Sequence, residues 1–419
     1  MCKKVIFLFV LVSLAYNKLI SQDTIKVMEY SLLTYKSSDG NNGRYKDLRT
    51  IVAYAKPDIL LVDELDNTTS AKYLLDSALN KAAVGTYSRA PFIDGYDTDN
   101  TMYYKTSKVT FKSQLAITTT LRDINQYYVY NVIAPGDTAW LYLHMSHLKA
   151  GSNTTINPTD ANQRLAEVTS LCNFIASIPQ NKNIIFAGDF NLKTNTEPAW
   201  IKMTTNCSHL FYDPINQVGT WAGNAFFKNI HTQSNRTSTY PGCCGGTTGG
   251  LDDRFDFIVG NSSIINGNSK MKILPATYRV FGNDGNHYNL STIEAPVNTS
   301  VPTTVNQALF NMSDHLPIMV NIVVSPVLIS VNEIGNDKNL ALLLNQGTYD
   351  LELFAQTKHD DDFELIVMDA VGRILVSKKL HLKAGNTLLN TEIGNLNNGL
   401  YYVTLYTKTT KVSSLFPVN

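Results

Sequence analysis

The sequence predicts an α/β domain that is followed by a smaller domain built of β-strands. Ile25 to Tyr35 reads as a strand, Tyr45 to Ala55 carries apolar residues at helical spacing, and Asp58 to Asp66 is a second apolar strand. The same order returns where a helix from Asn162 to Ile178 precedes a short buried strand from Asn183 to Ala187. The C-terminal part of the chain shows only short alternating runs between turn residues, which is typical of a β-sandwich.

Further elements of the large domain are less regular. Thr101 to Phe111 and Tyr127 to Val132 are rich in Tyr, Thr and Val and are predicted as strands. Val218 to Gly250 is rich in glycine, threonine and asparagine, and Tyr278 to Leu309 shows little periodicity. We expect these two stretches to be loops that frame a cleft.

The size and charge of the chain limit its class. Its 419 residues allow one large and one small domain, and 44% hydrophobic with 17% charged residues is the composition of a globular protein. The formal net charge is zero. Proteins that hold a polyanionic backbone tightly usually carry a basic face. Tight, sequence-specific binding of nucleic acid is therefore not predicted.

The N-terminus has the pattern of an export signal. Lys3 and Lys4 precede the apolar run from Val5 to Leu14, and a polar exit follows at Ser21. The run is short for a bilayer span, so residues 1–21 are predicted to be a cleaved signal peptide, and no stable membrane span is expected. A buried N-terminal helix is the alternative.

The cysteines are predicted to be structural. Cys2 would leave with the signal peptide, and Cys172 lies on an apolar helical stripe, which predicts a buried free thiol. Cys207 lies in loop-like sequence, and export would allow it to form a disulfide with Cys243 or Cys244. The spacing does not match a zinc site.

The strand from Asn183 ends in polar residues. Gly188 terminates the apolar run, and Asp189 and Asn191 follow on one face while Phe190 points to the other face, into the core. A carboxylate beside an amide suits a phosphate site. A turn of the Asx type that merely closes the strand is the alternative.

Three other apolar strands carry titratable residues at one end. Glu64 lies at the exit of its strand, His144 or His147 lies at the end of another, and Asp314 and His315 precede a third. A rigid sheet can present such side chains together at one rim. Rim charges, strand residues and a turn cap are the alternatives.

Five motifs in order give these residues a common context. The chain resembles the endonuclease/exonuclease/phosphatase superfamily, the DNase I-like metal-dependent phosphodiesterases, over roughly residues 25 to 325. The motifs are DELD around Glu64, SHLKAG around His147, GDFN at Gly188 to Asn191, DDRFDFI at Asp252 to Ile258 and SDHLP at Ser313 to Pro317. The resemblance implies a four-layer αββα sandwich of the DNase I type for residues 22–325.

The resemblance also implies a metal site. Glu64 is the first candidate ligand, and Asp314 would share or approach the metal. Ser31 occupies the position where the family usually presents an asparagine that helps to bind the metal. Oxygen ligands of this kind suit Mg²⁺, with Mn²⁺ or Ca²⁺ as alternatives.

The remaining site residues follow from the same resemblance. Asp189 would orient or deprotonate the attacking water, and Asn191 would hold a phosphate oxygen. His315 would act as the acid, base or phosphate-stabilising residue and would be held by Asp256, because a carboxylate partner fixes the ring. His147 would be the second histidine, a general acid in several members.

Residues 331–419 form the predicted β-sandwich, with a hairpin turn at Val371 to Arg373. The runs VMDAVGRIL, LNNGLYYVTLYT and KVSSLFPV resemble the C-terminal sorting domain of the type IX secretion system of Bacteroidetes. This resemblance implies the type IX machinery as a partner. An immunoglobulin-like carbohydrate- or surface-binding module is the alternative.

Taken together, these patterns predict an exported metal-dependent phosphodiesterase, with an extracellular nuclease as the first interpretation and nucleic acid or another phosphodiester as substrate. A phosphatase or a sphingomyelinase-like enzyme that acts on phosphate esters or lipids is the second interpretation. An inactive surface-binding protein is the third, because Ser31 departs from the family pattern.

Overall fold

The structure is a computed structural model, and it describes residues 23–36, 38, 43–134, 136–151, 159–240, 245–324, 338–344, 350–357, 360–369, 372–383, 385–392, 399–406 and 411–418. The predicted signal peptide and the predicted disulfide partners Cys243 and Cys244 lie outside these ranges. Within them, none of the helices has both the length and the apolar character needed to cross a bilayer.

The large domain alternates strands with helices along the chain. Its elements are β1 (Asp23–Tyr35), α1 (Arg44–Ala55), β2 (Ile59–Leu65), α2 (Thr68–Ser77), β3 (Tyr87–Arg89), β4 (Asp99–Lys105), β5 (Thr110–Ile117), β6 (Ile124–Ala134), β7 (Asp137–His147), α3 (Thr159–Ile175), β8 (Asn183–Asp189), α4 (Pro198–Thr205), β9 (Phe211–Tyr212), β10 (Asp256–Asn261), α5 (Ser262–Asn266), β11 (Met271–Val280), α6 (Thr303–Met312) and β12 (Ile318–Val324). Short 3₁₀ turns lie at Leu79–Lys81 and Ala225–Phe227.

These strands form two six-stranded sheets. The first has the order β11-β12-β1-β2-β4-β3, and the second has the order β5-β6-β7-β8-β10-β9. One central pair in each sheet is parallel, β1 with β2 and β7 with β8, and the other pairs are antiparallel. A helical connection makes each of these pairs parallel, so the carboxyl ends of its two strands lie at the same edge of the sheet. Polar residues at such an edge can form a site.

The two sheets pack face to face between layers of helices. One core joins Leu61 of the first sheet and Met145 and Ile185 of the second with Leu48 of α1 and Leu309 of α6. A second core lies between the outer face of the second sheet and helices α3 and α4; its members include Val168, Leu171, Phe186, Trp200 and Phe257. The predicted four-layer αββα architecture is therefore confirmed.

Two regions of the large domain differ from the sequence prediction. Thr101 to Phe111 is the junction of two strands, because the backbone turns after Lys105, whose carbonyl accepts from the Val109 N–H at 3.0 Å. The stretch from Tyr278 to Leu309 contains the end of β11 and most of α6. Asn306 is buried on the apolar face of α6 and donates to the Thr292 carbonyl at 2.6 Å, so a polar residue interrupts the pattern that would have predicted this helix.

The C-terminal part forms two antiparallel sheets, as predicted for a small β-sandwich. Its strands are β13 (Lys338–Leu344), β14 (Asp350–Thr357), β15 (Asp361–Asp369), β16 (Ile374–Leu382), β17 (Gly385–Glu392), β18 (Gly399–Tyr406) and β19 (Lys411–Val418). The sheets have the orders β13-β14-β17 and β16-β15-β18-β19. The β15–β16 hairpin turns at Gly372, whose φ of 85° lies in the left-handed region that glycine adopts readily.

Two cysteine predictions are wrong, the free thiol at Cys172 and the bond from Cys207 to Cys243 or Cys244, because Cys172 of α3 is bonded to Cys207, which follows α4. The apolar stripe correctly placed Cys172 in the core, but burial of a thiol does not reveal its partner. Packing of α3 against α4 brings the two Cα atoms to 5.2 Å, within the range that a disulfide requires.

We expect Cys207→Ser to lower the free energy of unfolding by roughly 2–4 kcal/mol, because the bond restricts the unfolded chain across a separation of 35 residues. Guanidinium unfolding of oxidised protein, with a dithiothreitol-reduced sample beside it, measures the effect. A variant that lacks Cys243 and Cys244 is the control. If that variant loses the stability instead, the bond assignment is incorrect.

Candidate active site

The polar ends of four strands and the turn before β12 meet at one edge of the sandwich. His147 at the end of β7 lies opposite Asp189 at the end of β8, and Asp189 lies opposite Asp256 at the start of β10. Glu64 near the end of β2 approaches from the other sheet, with its Oε1 3.6 Å from His147 Nδ1. The sandwich therefore brings most of the sequence-predicted site residues together.

Asp189 lies at the centre of this group and is almost fully buried. Its strand extends two residues beyond the predicted end, because Gly188 continues it with a φ of 137°. A Cβ at Gly188 would lie 1.8 Å from the Ser146 carbonyl oxygen, so only glycine fits there. Burial raises the pKa of Asp189 well above its ordinary value, and the nearby His315 charge opposes this effect.

Asn191 follows in a turn that Asp189 itself closes. The Asn191 N–H donates to Asp189 Oδ1 at 3.0 Å, and Asn191 Nδ2 donates to the Leu148 carbonyl at 3.3 Å. Phe190 points into the core as predicted and stacks on Phe186 with ring centroids 4.4 Å apart. The Asx turn and a polar site residue thus coexist at this strand end.

Glu64 is held by a strained backbone and two hydrogen bonds. Both Glu64 and Thr34 have positive φ angles, 57° and 45°, which are rare for residues with a side chain and strained for a β-branched one. The Thr34 N–H and hydroxyl donate to Glu64 Oε2 at 2.6 and 3.1 Å. These bonds leave Oε1 directed toward His147. Burial raises the pKa of Glu64, and Asp314 adds to the effect.

The alternation of β7 decides between the two candidate histidines. His147 is buried in the site, with its Nε2 3.5 Å from Asp189 Oδ2. Burial lowers the pKa of His147 well below its ordinary value, and the positive charges of Arg122 and His315 lower it further. His144 lies on the opposite face of the strand, where its Nε2 pairs with Gln126 Oε1 at 3.1 Å.

His315 is paired with Asp256 as the resemblance implied. Its Nδ1 donates to Asp256 Oδ2 at 2.8 Å, and its Nε2 lies 3.9 Å from Asp189 Oδ2. Burial alone would lower the pKa of His315, but Asp256, Asp189 and Asp314 together raise it well above its ordinary value. The carboxylates therefore favour the charged form of His315, whereas the surroundings of His147 favour its neutral form.

Asp314 is oriented by two donors. Its Oδ2 accepts from the Thr247 N–H at 2.6 Å and from Gln233 Nε2 at 3.2 Å. Its Oδ1 is buried and has no hydrogen-bond partner among the described residues. One carboxylate oxygen is thus fixed, and the other is available for a ligand.

Two further acids lie beneath the site. Glu29 and Asp63 are fully buried, and burial raises the pKa of Asp63 to about 7 with a contribution from Glu64. Burial, with Asp256 and Asp63, raises the pKa of Glu29 well above its ordinary value. Ser31 is fully buried opposite Asp63 in the register of β1 and β2, and its carbonyl accepts from Ser313 Oγ at 2.7 Å. Its role as a metal ligand stays a prediction.

The available oxygens fit a hard divalent cation. Beyond Asp314 Oδ1, one oxygen of Asp63, one of Asp256 and both of Glu29 are buried without a hydrogen-bond partner in the described part of the chain. Among the described residues no three acidic, histidine or cysteine side chains are arranged to hold an ion by themselves. A cation such as Mg²⁺ keeps several waters and needs only one or two carboxylates, which matches this set.

Sequence reasoning missed two residues here. Gln233 reaches His315, with its Nε2 2.6 Å from the ring Nε2. Arg122 is mostly buried and pairs with Asp97 at 2.7 Å, while its Nε and Nη1 have no hydrogen-bond partner among the described residues. Neither residue lies in a periodic element or a motif, so the sequence held no signal for them.

No protein-family model matches the chain, and no curated protein matches it. Solved structures similar to it include D. rerio TDP2 humanized by 14 mutations, at 18% identity over 71% of this chain and 98% of that one, with a TM-score of 0.44. They also include an endonuclease/exonuclease/phosphatase from Bacteroides vulgatus, at 13% identity over 72% and 100%, with a TM-score of 0.45. A third is an endonuclease/exonuclease/phosphatase from Beutenbergia cavernae, at 12% identity over 94% and 100%, with a TM-score of 0.42.

Proposed function

We propose that the chain is an exported, divalent-cation-dependent phosphodiesterase, with nucleic acid as its first candidate substrate. One observation carries this proposal. Asp189 Oδ2 lies between two histidines, 3.5 Å from His147, whose pKa is lowered, and 3.9 Å from His315, whose pKa is raised. A carboxylate with a raised pKa is suited to take a proton from water, and a histidine beside it with a raised pKa is suited, once protonated, to a phosphate oxygen.

The residues then divide the work of hydrolysis. A bound cation would neutralise charge on the phosphate, and Glu64 and Asp314 would hold it. Asp189 accepts the proton of the attacking water, while Asp256 keeps the His315 ring oriented at 2.8 Å. His147 Nε2 lies 3.5 Å from Asp189 Oδ2, and its lowered pKa favours the neutral ring, which would act as a hydrogen-bond donor and not as a positive charge.

A compact phosphate ester, including a phospholipid headgroup, is the second candidate substrate. A polynucleotide presents several phosphates, and proteins usually bind it with several positively charged side chains. Near His147 the positive charge comes from Arg122, His315 and Lys149. Arg122 Nε and Nη1 have no hydrogen-bond partner among the described residues and suit a single phosphate, while Asp253 adds negative charge near His315. Export by the signal peptide and the type IX pathway belongs to the same proposal. The mass of the secreted protein would reveal removal of the C-terminal domain.

The experiment that tests the function is hydrolysis of bis-p-nitrophenyl phosphate and of plasmid DNA by residues 22–419, with Mg²⁺, Mn²⁺, Ca²⁺ or EDTA. We expect turnover with a divalent cation and none with EDTA. Plasmid nicking would favour the nuclease. Hydrolysis of the small ester with intact plasmid would favour the compact substrate. Absence of turnover with every cation would overturn the proposal and favour the inactive surface-binding protein.

A further inference from the structure

Gln233 contacts two site residues with one amide group. Its Nε2 lies 3.2 Å from Asp314 Oδ2 and 2.6 Å from His315 Nε2. The side chain is buried, with 9% of its surface exposed. Asp314 and His315 are neighbours in sequence, but in the proposed reaction Asp314 binds the cation and His315 contacts the phosphate. A group that bonds to both can fix the distance between them.

The backbone around Gln233 is anchored on both sides. Its N–H donates to the Asp253 carbonyl at 3.0 Å, and its carbonyl accepts from the Asp253 N–H at 2.8 Å. The preceding residue, Thr232, accepts from the Leu316 N–H at 2.7 Å, and its hydroxyl accepts from the Asp256 N–H at 3.3 Å. The segment is therefore tied both to the strand that carries Asp256 and to the turn that carries His315.

We propose that Gln233 is a positioning residue that directs the Asp314 carboxylate toward the cation and the His315 ring toward the phosphate. This inference rests on the proposed function. It adds a residue from outside the motifs, on a segment that is hydrogen-bonded both to the start of β10 and to the turn before β12. Displacement of reacting groups by about 1 Å can lower a rate by about 10²-fold, so loss of such a bridge has a measurable effect.

The chemistry of the amide explains why this position suits glutamine. The two N–H groups of the amide nitrogen can donate to the Asp314 carboxylate and to an unprotonated His315 Nε2, and the amide oxygen can accept from the same ring nitrogen when it carries a proton. A glutamate of the same shape would face Asp314 with a second negative charge. A methionine of similar volume would fill the space without forming either bond.

The test compares Gln233→Met, Gln233→Glu and wild type. For Gln233→Met we expect a fall in kcat of about 30- to 100-fold with KM for the small ester within about threefold, because the phosphate contacts remain. We also expect Mn²⁺ affinity, measured by calorimetry without substrate, to weaken by roughly three- to tenfold, because Asp314 loses one of its two donors. For the isosteric Gln233→Glu we expect a comparable fall in kcat with tighter Mn²⁺ binding, because a carboxylate is added.

Gln126→Met is the matched control. Gln126 also pairs its amide with a histidine, through Oε1 and His144 Nε2 at 3.1 Å, on the outer face of the second sheet. We expect it to change thermal stability while kcat and Mn²⁺ affinity stay at wild-type values. Unchanged kcat and Mn²⁺ affinity in both Gln233 variants would overturn the inference, as would equal losses in Gln126→Met. If wild type shows no turnover, the proposed function fails. The Mn²⁺ titrations then still decide whether Gln233 orients Asp314.

Discussion

Asp189→Asn should lower kcat on bis-p-nitrophenyl phosphate by about 10³-fold, the middle of the range for a general base. The asparagine keeps an oxygen for the Asn191 N–H, which bonds to Asp189 Oδ1 at 3.0 Å. It also places an amide where Oδ2 lies 3.5 Å from His147 and 3.9 Å from His315. An amide cannot accept a proton from water, so the geometry survives while the chemistry is lost.

The same variant should be at least as stable as wild type. Burial raises the pKa of Asp189 well above its ordinary value, so the ionised carboxylate destabilises the folded state at neutral pH. A loss of activity with an unchanged or higher unfolding temperature would therefore separate catalysis from folding. Functional sites commonly show this trade-off between activity and stability.

Asp58→Asn is the control for Asp189→Asn. Asp58 is also buried at a strand end, but it lies at the opposite end of β2, where it accepts from the Lys26 N–H at 2.9 Å and from Lys105 at 3.0 Å. Its replacement should lower stability and leave kcat unchanged. If Asp189→Asn retains more than a tenth of wild-type kcat, Asp189 is not the general base.

Local sequence patterns were sufficient for the strand-end residues of the site. The run from Asn183 has the length and apolar character of a buried strand, and side-chain alternation then decides that Asp189 and Phe190 diverge. The same reasoning found Glu64 and His315, since each lies beside a periodic segment. Residues that a strand presents can be predicted because the strand itself is a local pattern.

Residues that loops bring in could not be predicted. Gln233 meets His315 across 82 positions of sequence, and only the tertiary fold decides such a contact. The disulfide could not be predicted for the same reason, because the apolar stripe on α3 predicts burial of Cys172 but does not show that Cys207 lies beside it. The run HLKAG makes the point within one chain, since it occurs at both His147 and His381. His147 is buried among carboxylates, whereas His381 is more than half exposed on β16.

The second large effect concerns the buried acids, Glu29 and Asp63. An acid whose pKa is raised by folding binds its proton more tightly in the folded state. It therefore stabilises the fold least when it is ionised. For Asp63 the stability is lost as pH rises from about 4, its unfolded value, to about 7, its folded value. Glu29 changes stability in the same direction, because burial raises its pKa well above the ordinary value.

Asp63→Asn should consequently raise the free energy of unfolding at pH 8 by on the order of 3 kcal/mol in EDTA, and the gain should vanish near pH 4. Glu29→Leu should act in the same direction, because among the described residues neither Glu29 oxygen has a hydrogen-bond partner to lose. Urea unfolding from pH 4 to pH 8 measures both effects. Asp76→Asn is the control variant, because Asp76 is about half exposed and pairs with Lys72 at the surface, where an ion pair contributes little to stability.

The difference between variant and wild type is the informative quantity, because other buried groups act in the opposite sense. Burial lowers the pKa of His144 to about 3, so the unfolded chain takes up a proton that the folded chain does not, and stability falls as pH drops below about 6.5. Subtracting the wild-type free energy of unfolding from that of the variant at each pH removes the contribution of His144. If the free energy of unfolding rises equally at pH 4 and pH 8, ionisation of these buried acids does not destabilise the fold. A gain confined to high pH, and reduced when Mg²⁺ replaces EDTA, would mean that a cation relieves the repulsion among these carboxylates.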